Sequence, residues 1–301
     1  MGLFGKMFSK KDTKLKQDLS EAQAMQAVGA VFIMHLLFEE KCEMPDKELM
    51  CSIMDKHVGE NDCFGYREST ASFAAKKYST QFKDGAVPPM LMITGCTEIT
   101  DWQPDALTMS QMWDCPESEE IFEKCRYQVV ATDMLAGGLD YKDRADMLMD
   151  FMEALLEMFP TCRAIMFDTS GKMFTRESVL NKEIPREDRF VFFAVNVRFF
   201  KIEGTEDMMV DTIGMSTLCL PDLQYHFHGM DQNAVVGHAY NMLSYIYANN
   251  CPIKSGETID GIRNGEICRD VQWKCQYENA LIQPVRQVID INMGEYASGK
   301  R

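Results

Sequence analysis

The chain has 301 residues, 46% of them hydrophobic and 26% charged. That is an ordinary globular balance and excludes wholesale disorder, while the length allows one large core or about two domains. Its 46 acids against 31 bases leave a net charge of −15, which repels a phosphate backbone and argues against nucleic-acid binding.

Residues 1–28 open on the dense basic run "KMFSKKDTKLK", with five lysines, and continue into a helical composition over 13–28. This reads as a solvated basic tail leading into a helix with a thin apolar stripe. The tail has neither the apolar stretch nor the small-residue site of a signal peptide. The longest apolar run, "GAVFIMHLLF" (29–38), is half of a membrane span. It reads instead as a buried strand. The expected location is the cytoplasm, and no membrane span is expected.

"MPDKELMCSIMDKHVG" (44–59) predicts a helix, with Pro45 and Asp46 at its entry and Gly59 at its exit. Strands follow over 71–82 and 86–96, joined by the hairpin signal "KDG". A second cycle places a strand at 124–135, a strongly amphipathic helix at 140–159 and strands at 162–170 and 188–200. The strand expected at 208–218 pairs with the last of these. A third cycle has a strand at 222–228, a helix at 231–249 and strands at 271–277 and 284–291. Asp140 and Asp231 stand at the two later helix entries, where a carboxylate accepts a backbone N–H. The segments 59–70, 168–187 and 254–270 are polar joins punctuated by Gly or Pro.

The pattern predicts an α+β fold of repeated β-α-β-β units, with mixed, mainly antiparallel sheets and helices packed on one side. Residues 1–28 are the tail and helix, 29–205 an α+β body, and 206–301 a C-terminal β-α-β-β module packed on it.

Three of the five histidines fall in "HFHGMDQNAVVGH" (226–238). Period-two alternation sets His226 and His228 on the polar strand face, opposite Leu223, Tyr225 and Phe227. Their Cα atoms are then roughly 6.5 Å apart, and two imidazoles so placed bind a metal when a third ligand joins them. His238 belongs to the margin of the next helix, which folds back across the apolar face, so the three histidines do not converge. On the neighbouring strand Gln272, Lys274 and Gln276 share the polar face, with Glu278 just beyond in phase.

Other motifs end as structural turns. "AIMFDTSGK" (164–172) puts Asp168 at a strand end, but Ser170 stands where a phosphotransferase would have its second acid, and the upstream glycine of a phosphate loop is missing. Eleven cysteines, none spaced C-x-x-C, suit buried thiols in a reducing compartment better than a disulfide framework or a zinc ribbon. No nucleophile–base motif is present, so no catalytic residue is assigned.

The stretch from "DLQYHFHGMDQNAVVGHAYNMLSYIYANNCPIKSGETIDGI" through "WKCQYENALIQPVRQVIDI" resembles a bacterial family, domain-of-unknown-function family 4261, over residues 206–291. Asp231, Asn233 and "SGETIDGI" (255–262) carry the resemblance, and Gln232 stands where the family pattern has proline. The resemblance implies no reaction and no cofactor. The reading of the whole chain is a non-enzymatic binding protein, of immunity or regulatory type, whose partner is a protein or small ligand. Tyr225, His226, His228, Trp273 and Glu278 are its binding residues, because aromatic and polar groups together suit recognition. The alternative is a metal-dependent hydrolase in which His226 and His228 hold a divalent metal.

Overall fold

The computed structural model describes residues 31–83, 85–100 and 102–299; the tail and helix expected over 1–28 lie outside them. The first apolar run forms β1 (Ile33–Phe38). It is followed by α1 (Lys47–His57), whose first turn is capped by the Asp46 carboxylate accepting the Leu49 N–H at 2.8 Å. The polar join after it contains a strand, β2 (Asn61–Arg67), paired with β3 (Thr70–Ala75). β2 escapes a hydrophobicity reading because it is a bulged edge strand with no fully buried residue. The "KDG" hairpin is a small ribbon of its own, β4 (Thr80–Phe82) with β5 (Gly85–Val87), so the strand expected over 71–82 is cut at Ala75.

After β6 (Met90–Thr94), β7 (Thr97–Glu98) and two short helices, α2 (Ala106–Met109) and α3 (Ser118–Lys124), comes the second cycle. It consists of β8 (Tyr127–Met134), α4 (Tyr141–Met158) and β9 (Ala164–Phe167). β10 (Lys172–Thr175) and α5 (Arg176–Leu180) fill the expected loop. The strand expected over 188–200 is a helix in its first half: α6 (Arg189–Ala194) precedes β11 (Asn196–Lys201). Phe190, Val191, Phe193 and Ala194 are all buried, and such an unbroken apolar run has no period to tell a buried helix from a buried strand. Arg189 settles it by pairing with Asp150 at 2.7 Å and Glu153 at 2.6 Å, both on α4.

The rest is β12 (Met208–Ile213), β13 (Asp222–Phe227), α7 (Gln232–Asn249), β14 (Thr258–Arg263), β15 (Glu266–Asn279) and β16 (Gln287–Asn292). β14 lies in the third expected join. The first two cycles build an eight-stranded sheet ordered β10-β9-β1-β8-β6-β3-β2, with β7 beside β8. The last cycle, with β11 and β12, builds a six-stranded sheet ordered β11-β12-β13-β16-β15-β14, in which only β13 and β16 run parallel. The boundary expected at 205–206 therefore falls inside the β11–β12 hairpin.

Both sheets turn their apolar faces to α1, α4, α6 and α7, forming one continuous core. A smaller cluster, in which Leu37, Ala164 and Met166 meet Ile121 and Phe122, lies on the other face of the first sheet, under α2 and α3. Two buried cations join the halves. Arg144 on α4 donates to Asp133 at 2.9 Å and to the Thr217 carbonyl. The Lys172 ammonium donates to the Phe192 and Val195 carbonyls at 2.6 and 3.1 Å and pairs with Asp114 at 3.3 Å. All three of its N–H bonds have partners, so the lysine of the "SGK" stretch is a structural pin between β10 and the start of the second sheet.

Candidate functional site

The second sheet has two unlike faces. On the inner one Tyr225 is fully buried and its hydroxyl meets His238 Nδ1 at 2.9 Å, while His238 Nε2 lies 2.8 Å from the Asp260 carbonyl. A carbonyl only accepts, so Nε2 carries the hydrogen, Nδ1 accepts, and Tyr225 donates. Burial lowers the His238 pKa, in keeping with that neutral ring. Trp273 leans on the same imidazole with ring centres 4.9 Å apart. β14 clears its indole only because residue 261 is glycine, where a Cβ would come within 2.6 Å of the ring. Tyr225 and Trp273 were expected on a recognition surface; at 0% and 1% exposure they are core instead.

The outer face carries a row of polar side chains across five strands, set by the register Arg198–Asp211–Gln224–Asp290–Gln276. Its first four members are buried. Asp211 accepts from Arg198 Nε at 2.9 Å and Nη2 at 2.6 Å, and from Arg286 Nη2 at 2.6 Å. Arg286 Nε forms an ion pair with Asp222 at 3.3 Å, and the other Asp222 oxygen accepts the Met215 N–H and the Thr212 hydroxyl, each at 3.2 Å. Burial outweighs these partners and pushes the Asp222 carboxyl up to about 6.

Both guanidinium groups also donate to carbonyls of the loop between β15 and β16, residues 280–286, and Arg286 Nη2 reaches the Thr212 carbonyl on β12 at 2.7 Å. Arg286 reaches the Ile282 and Pro284 carbonyls at 3.0 Å, and Arg198 the Gln283 carbonyl at 3.3 Å. Gln224, held by Asp290 at 3.0 Å, accepts the Leu281 N–H at 2.7 Å. The loop is thus clamped from beneath by buried charges, yet Leu281 is 57% and Val285 50% exposed. Gln272, Lys274 and Gln276 are exposed beside it, and Glu278 is half-buried in the same phase.

His226 and His228 stand at the far end of the outer face. His228 Nδ1 lies 3.0 Å from the Ser298 hydroxyl, and that hydroxyl donates to Asp207 at 2.8 Å. Asp207 also faces His226 Nε2 at 3.6 Å. Serine, histidine and carboxylate are all present, but in the wrong order for catalysis. With its proton given to Asp207, Ser298 accepts from His228, whereas a nucleophile must donate to its base. Among the described residues no group of three His, Cys, Asp or Glu side chains is disposed to hold a metal ion. Burial also raises the thiols of Cys115, Cys125, Cys162, Cys251 and Cys275, which leaves those five unreactive.

The clamp has no local motif, since Arg198 and Arg286 lie far apart in the chain. Its trace in the sequence is a charge standing in each of several otherwise apolar runs: "VNVRFF", "MMVDTI", "PVRQV" and "VIDI".

No curated protein and no solved structure matches the chain. Residues 211–292, which contain every member of the clamp except Arg198, match the family model described as a domain of unknown function, DUF4261.

Proposed function

We propose that the protein acts by binding a partner protein, with the 280–286 loop and the adjoining outer face of the second sheet as the contact surface. The observation that carries this reading is the clamp. Burying ions is costly, and a well-packed apolar set of similar volume would do as well or better for stability alone. Two arginines, one of them in the loop itself, and two aspartates spent on fixing one surface loop suit a loop that must hold one shape. A preorganised loop with exposed aliphatic tips and a polar margin has the make-up of a recognition surface. It lies across the buried polar row of the outer face, reaching Gln224 on β13 and Arg198 on β11, and a surface of that kind suits a macromolecular partner better than a small ligand, which prefers a concave pocket. An immunity-type or regulatory role is the version of this reading that fits a surface without catalytic groups, and eleven free thiols suit a cytoplasmic setting.

The test compares the wild type with a Leu281→Asp/Val285→Asp variant as baits in native extracts of the source cells. Both changes sit on exposed tips, so melting temperatures should agree. A protein retained by the wild type and lost with the variant supports the reading. Identical captures by the two baits overturn this assignment of the surface.

A further inference from the structure

The connection from β1 to α1 brings Cys42 against Cys96, which follows β6. The Cys42 N–H donates to the Cys96 sulfur at 3.1 Å, which places the two cysteines side by side. Both are partly exposed, and Cys42 lines a cavity of about 450 Å³ that is open to solvent between Glu39 and Arg163. They are 54 residues apart in the chain, so a bond between them would tie the β1–α1 connection to the segment between β6 and β7. The other thiol beside Cys42 is Cys162, which is buried and turned to the Ala164 carbonyl at 3.0 Å.

We propose that Cys42 and Cys96 are a peroxide-oxidisable pair that closes to a reversible disulfide. The Cys96 sulfur attacks one oxygen of the peroxide; the O–O bond breaks, the first water leaves, and Cys96 becomes a sulfenic acid. The Cys42 sulfur then attacks the Cys96 sulfur. The S–S bond forms, the S–O bond breaks, and the departing oxygen takes the Cys42 proton as the second water. Two thiols are oxidised and one hydrogen peroxide is reduced to two waters. The order follows from the surroundings: the Cys96 sulfur already accepts a backbone N–H, from Cys42 at 3.1 Å, whereas burial holds the Cys42 thiol well above the ordinary thiol range.

The full chain is exposed to hydrogen peroxide and then mapped by non-reducing peptide mass spectrometry. The expected product is a Cys42–Cys96 linked peptide pair, lighter by two hydrogens and restored by dithiothreitol. Absence of that pair while other cysteines oxidise, or a dominant Cys42–Cys162 pair, overturns the proposal. The order is read with dimedone, which traps sulfenic acids. Cys42→Ser should accumulate the adduct at Cys96, while Cys96→Ser should leave Cys42 unlabelled over the same time. Equal or faster labelling of Cys42 in Cys96→Ser contradicts the assigned order.

Discussion

Replacing Asp222 by asparagine isolates the cost of one buried charge. In the folded protein burial raises this carboxyl from 3.8 to about 6, against the pull of Arg286 and the Met215 N–H. Between those values the folded chain holds a proton that the unfolded chain has released. The stabilisation is fully present below the unfolded value and is lost as pH rises through the folded one. The interval spans roughly two pH units at about 1.4 kcal/mol each, so ionising Asp222 costs the fold about 3 kcal/mol at neutral pH. Asparagine keeps the size and cannot ionise. Urea unfolding of both proteins between about pH 4 and pH 8 gives the difference in stability, variant minus wild type. Whatever constant offset the amide introduces, that difference should climb by up to about 3 kcal/mol from pH 4 to pH 7 and then level off. A flat difference would show that Asp222 is already ionised at pH 4 and that Arg286 outweighs burial. A falling difference would reverse the sign of the reasoning.

Adjacent residues on β15 separate the two faces. Trp273→Ala empties a fully buried site and should cost about 3–5 kcal/mol, whereas Lys274→Ala should stay within about 0.5 kcal/mol; similar costs would refute the register. For the hydrolase alternative, metal content is measured on protein purified without chelator or affinity-column metal. The expected result is no stoichiometric zinc, manganese or iron. Stoichiometric metal lost on His226→Ala/His228→Ala would overturn the binding reading.

Much of the architecture is legible where apolar and polar residues sort to opposite faces. Alternation along "DLQYHFH" and "VQWKCQY" sorts each residue to the correct face, because each strand has apolar helices on one side and polar neighbours on the other. The caps Asp46, Asp140 and Asp231 mark true helix entries. The periodicity is silent for residues 189–194, five of whose six side chains are buried, and for β2 and β14 at sheet edges. At the site, His226 and His228 were rightly paired and set apart from His238. Tyr225 and Trp273 were assigned to a surface by residue type, although the same alternation that paired the histidines turns both rings inward. The clamp was not legible, because its members meet only after β11, β12, β13 and β16 pair.

The claim that the 280–286 loop is held in one conformation from beneath is tested most directly by amide hydrogen exchange at Leu281, whose N–H is given to Gln224. Exchange should be slow in the wild type. Arg286→Met removes the guanidinium that grips the Ile282 and Pro284 carbonyls, and a loss of roughly 1.4 kcal/mol in loop closure would speed exchange about tenfold. Slow exchange at Leu281 that accelerates in Arg286→Met, with the Tyr225 amide unchanged, is the predicted result. Fast exchange at Leu281 in the wild type, or the same slow rate in both proteins, would contradict it.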